Sequence, residues 1–284
     1  MRNLAIVACV ALLLGACATS PTGRSQLMLV SGSQMSQLGL ESFNQMREQG
    51  KFAQAPRERT YATCVATALI GVLPPPWNTE KWDVEIINDD TANAFALPGG
   101  RIGVNRGLFK VAQTPDQLAA VLGHELAHVV ARHPAERVSD NLATQIGVSA
   151  ANAYGVARGM NPDTLQALLG VGAQTLVTLP FSRAQESEAD VLGQRYMAAA
   201  GFDPKAAVTL WQNMEKANPG NRAFFPRLPH PATASRNFPP TRRRSSPPIA
   251  AHAPTDALRA ARCEPGFPST IRSLQQNQCV TPAC

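Results

Sequence analysis

His124-Glu125-Leu126-Ala127-His128 lies inside a stretch, Asp116 to Ala131, that is expected to be helical. On a helix, residues four apart stand one above the other on the same face, so both imidazoles can reach a single metal ion. Glu125 lies about 100° around the axis, near enough to handle water at the ion without becoming a ligand. H-E-x-x-H in this setting is the pattern of a zinc peptidase, where the cation acidifies water and the glutamate takes its proton. The competing reading is a coincidence on a core helix. With five histidines in 284 residues, that coincidence is the rarer outcome.

Such a site needs a third protein ligand and an open fourth position. Ser182-Arg183-Ala184-Gln185-Glu186-Ser187-Glu188-Ala189-Asp190 opens a second expected helix running to about Ala200, with Val191, Leu192, Tyr196 and Met197 as its apolar positions. Glu186 and Asp190 are four apart and share a face, while Glu188 points away from both. Glu186 is therefore assigned as the third ligand. Asp190, one turn deeper, is placed to hold a histidine ring or assist proton transfer. Carboxylates also favour a helix start electrostatically, so this cluster standing alone reads equally well as a solvated N-terminus. Its pairing with the two histidines decides for ligation.

Taken together, these motifs resemble the zinc metallopeptidase family that includes the heat-shock protease HtpX and the CaaX prenyl proteases, most of all its periplasmic lipoprotein branch. Besides the two segments above, the match is carried by Thr22-Gly23-Arg24-Ser25-Gln26-Leu27-Met28-Leu29-Val30-Ser31, by Asn93-Ala94-Phe95-Ala96-Leu97-Pro98-Gly99-Gly100, and by His230-Pro231 with Arg236 six residues on. It covers Pro21 to Arg236. The resemblance implies an α+β, predominantly helical, zincin-like domain with a small sheet or hairpin beside the H-E-x-x-H helix. It implies one zinc ion per chain on His124, His128 and Glu186, with Glu125 as catalytic base and Asp190 as a supporting carboxylate. His230 and Arg236 correspond to family positions that approach the metal or steady the oxyanion.

The start of the chain speaks to location. Met1-Arg2 supplies a positive end, and Leu4 to Leu14 is an apolar run too short to span a bilayer. Leu14-Gly15-Ala16-Cys17 has the pattern of a bacterial lipoprotein cleavage site. Residues 1–16 are thus expected to be a signal peptide, with Cys17 lipidated and anchoring the protein to a membrane. The alternative is an ordinary secretory signal with a chance cysteine. Ala18, in place of aspartate, favours the periplasmic face of the outer membrane. No later stretch has eighteen uninterrupted apolar residues, so the catalytic part is expected to be soluble.

Charge excludes little and supports no nucleic-acid role. Of the formal +6, the segment from Asn237 onward holds six arginines against Asp256 and Glu264, which leaves about +2 for the rest. No basic stripe with interleaved aromatics crosses the catalytic part. Cys9 leaves with the signal and Cys17 takes lipid, so Cys64, Cys263, Cys279 and Cys284 remain, with three full pairings. An oxidising compartment permits disulfides. Cys64, inside the apolar run from Cys64 to Leu73, is expected to be a lone buried thiol.

A coarse pass places helices at Ser33 to Glu48 and Arg57 to Leu73, the latter stopped by Pro74-Pro75-Pro76. Trp82 to Ile87 alternates as a half-buried strand does, and Phe95 to Val104 reads as a hairpin about Pro98-Gly99-Gly100. A strand edge beside the catalytic helix offers an extended peptide a place to add as a further strand. Ala143 to Gly159 and Thr164 to Leu179 read as tightly packed helices. His133, nine residues after His124, falls on the opposite side of a continuous helix and takes a surface or supporting role. His252 is given no function.

The expected organisation is a signal (1–16), a lipidated segment with the first helix (17–54), the zinc metallopeptidase domain (55–236), and a Pro/Arg-rich tail (237–284). The tail holds eight prolines in 48 residues and no helical period, a composition that rarely orders itself. It reads as a frameshifted end or as a basic extension toward anionic partners. The expected function is a membrane-anchored endopeptidase acting on misfolded or unassembled envelope proteins. An assembly factor or chaperone for outer-membrane proteins, with proteolysis secondary, is the second class. An inert metal-binding lipoprotein is the third, and Glu125 argues against it.

Overall fold

A computed structural model describes residues 17–157 and 181–217. The chain starts with an antiparallel pair, β1 (Cys17–Thr19) and β2 (Ser25–Leu27), with Cys17 opposite Leu27. Helix α1 (Gly32–Glu48) begins at Ser31. The Ser31 hydroxyl accepts from the Gln34 N–H, and the Gln34 side chain reaches back to the Ser31 N–H. That reciprocal cap satisfies two donors a helix start otherwise leaves bare. Its buried face carries Met35 and Phe43, and the Phe43 ring meets Phe52 at 5.0 Å. Helix α2 (Pro56–Ile70) starts on proline, whose fixed φ suits a first turn, and the chain leaves it before Pro74.

Three strands follow: β3 (Asp83–Ile87), β4 (Ala94–Leu97) and β5 (Arg101–Asn105). Their order is β3-β5-β4, with β3 parallel to β5 and β4 antiparallel to it. The β4–β5 hairpin turns through Gly99 and Gly100 at φ 83° and 75°, a left-handed pair that only glycine adopts cheaply. A 3-10 turn (Arg106–Lys110) leads to α3 (Pro115–Val130), then come α4 (His133–Ala157), α5 (Arg183–Ala199) and α6 (Ala206–Ala217).

Helix α3 is the centre of the molecule. Thr114 caps it by accepting from the Gln117 N–H, and Pro115 opens the first turn. Leu118, Leu122 and Leu126 are fully buried, each contributing about 1.5–3 kcal/mol of transfer free energy. The helix packs against α2, α5, α6 and the edge strand β4. A helix apolar on nearly all sides has to be interior, and so the two histidines it carries are presented from inside the fold.

The expected α+β, mostly helical architecture with a small sheet beside α3 is what the structure contains. Three differences stand out. The pair β1–β2 and the helix α6 were not anticipated. The stretch around Ala143 belongs to a helix that starts ten residues earlier, at His133. Cys64 is disulfide-bonded, which corrects its reading as a lone buried thiol; its partner lies outside the described residues. Apolar neighbours predict burial and say nothing about bridging. The expected helix from Thr164 to Leu179, His230, Arg236 and the tail also lie outside the described residues. Among the described residues no helix is long and apolar enough to cross a membrane.

Candidate metal centre

His124 and His128 stand one turn apart on α3, and their Nε2 atoms approach to 3.0 Å. Glu186 comes from the first turn of α5, which Ser182 and Gln185 cap reciprocally. Glu186 Oε2 lies 3.4 Å from His124 Nε2 and Oε1 lies 3.8 Å from His128 Nε2. A tetrahedral zinc ion with bonds of 2.0–2.1 Å separates its ligand atoms by about 3.3 Å. The observed triangle brackets that edge, so two imidazoles and a carboxylate fit zinc in both spacing and chemistry. Among the described residues this is the group of three that could hold a metal.

Main-chain contact sets the approach of the two helices. A Cβ on Gly193 of α5 would meet the His124 nitrogen at 2.9 Å and the Gly123 carbonyl carbon at 3.0 Å. Glycine here lets α5 lie against α3 with no side chain between them, two turns from Glu186.

Each imidazole is held from behind. His124 Nδ1 is 3.0 Å from Asp190 Oδ1, which leaves Nε2 for the cation. Burial works against a charge on His124, but hydrogen bonds to Asp190 and Glu186 outweigh it and raise its pKa to about 10. Burial pushes the Asp190 carboxyl up, against the pull of His124. Burial, with His124 and His133 alongside, takes His128 down to about 2. The site is asymmetric in access too: the His124 side chain keeps 23% of its surface exposed, His128 only 4%. Phe181 stacks on His128 at 4.4 Å between ring centroids, and the Arg137 guanidinium sits 5.2 Å over Phe181.

Glu125 faces the sheet edge. Burial pushes its carboxyl up to about 7, opposed by His124 and by a hydrogen bond from the Ala96 N–H of β4. The Asn105 N–H donates to the Asn93 carbonyl at 3.0 Å, so in this antiparallel ladder the even-numbered residues of β4 turn their backbone away from β5. Ala96 therefore offers its main chain to the side on which Glu125 lies.

The sequence reading gave His133 a surface or supporting role; the structure places it in a second polar layer that the reading did not locate. His133 is fully buried, because Arg132 takes a left-handed turn (φ 59°) that ends α3 and brings the chain back beneath the site. His133 Nδ1 lies 2.9 Å from His128 Nδ1, and its Nε2 lies 3.2 Å from Glu188 Oε2. Glu188 does point away from Glu186 and Asp190, as expected, but into the protein. It accepts from the Thr22 N–H and hydroxyl at 3.2 and 2.7 Å and from Arg24 Nε at 3.2 Å. Burial alone would raise the Glu188 carboxyl; hydrogen bonds from Ser20, Thr22 and His133 win and hold it at about 2. Arg24 also forms a two-pronged ion pair with Glu136, which Gln26 and Gln185 further hydrogen-bond. The signal was present in the Thr22–Ser31 block, but that block carried only the resemblance.

Comparison with known proteins gives the family. The profile described as Peptidase family M48 matches residues 62–244. The chain is 43% identical over 137 residues to the mitochondrial metalloendopeptidase OMA1 of Schizosaccharomyces pombe, covering 48% of this chain and 39% of that protein. It is 33% identical over 155 residues to the beta-barrel assembly-enhancing protease of Escherichia coli K12, covering 53% and 32%. It is 29% identical over 213 residues to the metalloprotease LoiP of the same organism, covering 74% and 81%. The chain spans 26–39% of the length of the OMA1 proteins of S. pombe, Arabidopsis thaliana and Saccharomyces cerevisiae. The family match runs unbroken from α2 through the sheet and α3 to beyond the helix that bears Glu186, and on that ground the chain belongs to peptidase family M48, a family of zinc-dependent metallopeptidases.

Proposed function

We propose that this protein is a zinc metalloendopeptidase that cleaves misfolded or unassembled proteins of a bacterial cell envelope. The observation that carries the reading is the meeting of His124, His128 and Glu186 with Glu125 beside them. In this reading those three side chains hold the ion. Zinc bound there supplies a Lewis acid for the scissile carbonyl and lowers the pKa of water to about 7.

The chain's own residues do the rest. Asp190 fixes the His124 ring by its 3.0 Å contact at Nδ1. Glu125 accepts a proton from the attacking water and passes it to the leaving amine, a role worth typically 10²–10⁴-fold in rate. An extended substrate lies along β4 and pairs with the outward-turned backbone there, which sets the carbonyl near Glu125. His230 and Arg236, by resemblance alone, stabilise the oxyanion.

Residues 55–236 form the catalytic domain in this proposal, with residues 1–16 as the signal and 237–284 as an appended tail. A lipid on Cys17, exposed on β1, holds the enzyme on the periplasmic face of the outer membrane. Acyl chains contribute about 0.8 kcal/mol per buried methylene. The leader pattern supports this placement; the three relatives described above are one mitochondrial and two E. coli proteins.

Glu125→Gln should retain one zinc per chain and lose casein hydrolysis by at least about 10²-fold. Normal activity at normal metal content removes Glu125 from the mechanism. The relative named as a beta-barrel assembly-enhancing protease favours a second reading, an assembly factor for outer-membrane proteins. That reading requires the Glu125→Gln protein to sustain envelope integrity without proteolysis.

A further inference from the structure

The acceptor-only carboxylate of Glu188 sets a direction for the buried chain that ends at His128. Thr22 gives it two hydrogen bonds and Arg24 one, Ser20 adds another, and His133 Nε2, beside the same carboxylate, has to donate as well. A neutral imidazole protonated at Nε2 carries its lone pair on Nδ1. That lone pair is 2.9 Å from His128 Nδ1, which must then be the protonated nitrogen of His128. The Nε2 of His128 is left with its lone pair facing His124 and Glu186. His133 is fully buried and the Glu188 side chain is 3% exposed, so water does not substitute for either.

We propose that Glu188 and His133 are positioning residues for the metal: Glu188, clamped by Thr22 and Arg24 from the turn between β1 and β2, fixes the His133 tautomer, and His133 presents the Nε2 lone pair of His128 to the cation. This rests on the reading of His124, His128 and Glu186 as ligands. Orienting partners behind a ligating histidine typically change metal affinity 10–100-fold. The N-terminal turn is thereby part of the metal site, although no ligand comes from it. Docking that turn would need only the ion pair between Arg24 and Glu188; the histidine placed in series with it has its use at His128.

The test uses the full-length chain and zinc alone, with affinity read by chelator competition at fixed pH. Glu188→Gln keeps the shape. Arg24 Nε and His133 Nε2 share one carboxylate oxygen, and the amide that replaces the carboxylate can donate, so the proton on His133 Nε2 is no longer fixed. Zinc binding should weaken 10–100-fold. His133→Phe, which leaves the His128 nitrogen without its acceptor, should weaken it similarly. The double variant should be no weaker than either single one, because both act through one bond. In the wild type, ¹⁵N spectra of the imidazoles should place the His133 proton on Nε2. Wild-type affinity in both single variants, additive losses in the double one, or a His133 proton on Nδ1 overturns the proposal. If the wild type itself binds no zinc, the ligand assignment falls and this inference with it. If it binds zinc and the variants match it, only the positioning role falls.

Discussion

Replacing Gly193 by alanine puts a methyl group where α3 and α5 touch main chain to main chain. The new carbon would lie 2.9 Å from the His124 nitrogen, 3.0 Å from the Gly123 carbonyl carbon and 3.1 Å from its oxygen. Carbon contacts relax to about 3.5–4.0 Å, so the helices have to part by roughly 0.5–1 Å. None of the three atoms belongs to a side chain that can swing aside. Overpacking of this kind costs about 1–3 kcal/mol, and alanine returns up to about 1 kcal/mol of helix propensity. The net loss of stability is about 0–2 kcal/mol, a shift of a few degrees in Tm for a domain of this size. The metal site suffers more, because zinc tolerates deviations of only about 0.2 Å and Glu186 rides on the displaced helix. Zinc affinity should fall at least about tenfold, while the zinc-free protein unfolds only slightly earlier. Gly123→Ala is the graded control: its Cβ meets the Gly193 oxygen at 3.2 Å, the flexible Met197 side chain at 3.5 Å and the Gly193 carbonyl carbon at 3.7 Å, so its effect should be smaller. Chelator competition and thermal unfolding on both variants decide the matter. Undiminished zinc affinity in Gly193→Ala refutes the claim that main-chain contact sets the ligand spacing.

Three further outcomes are expected. With the His124 pKa raised to about 10, zinc binding at pH 7 must displace its proton, so calorimetry in buffers of differing ionisation heat should show at least one proton released per zinc, and none released contradicts it. Glu188 sits at about 2 against an ordinary 4.5; a depressed carboxylate contributes stability that is complete above pH 4.5 and drains as pH falls toward 2. Acid unfolding of Glu188→Gln should therefore be less steep across that window, and an unchanged slope removes Glu188 from the acid response. Ser182→Ala deletes the α5 cap beside Glu186 and should cost about 1 kcal/mol in denaturant unfolding, with a loss below experimental error counting against the capping account.

What the sequence made legible was local. H-E-x-x-H needs one helix and a spacing of four. Ser182 and Gln185 announce a helix start, and Pro74 announces a stop, because caps and breakers act within a turn. Glu186 and Asp190 were separable from Glu188 by helix geometry alone. The illegible parts depend on distant chain. That β3, which lies against α2, pairs parallel with β5 beyond the hairpin depends on distant packing and not on the residues of either strand. His133 was placed on the far side of a continuous helix; a single left-handed residue, Arg132, reverses that placement, and arginine gives no local warning of it. Arg24 finds its two carboxylates in α4 and α5, which no periodicity in Thr22–Ser31 encodes. Helix α6 was within reach, since Ala207, Leu210 and Met214 fall at helical spacing.

Thr22 and Glu188 are 166 positions apart in the chain, and the two imidazoles are made well before the carboxylates that complete them. A polypeptide still emerging from its synthesis or export machinery carries His124 and His128 without Glu186 and without the pair that steadies His133. Closing so long a loop comes late in folding. In the proposed reading a growing copy is therefore inert toward itself and its neighbours, and competence arrives only after the segment bearing Glu186 and Glu188 has come through.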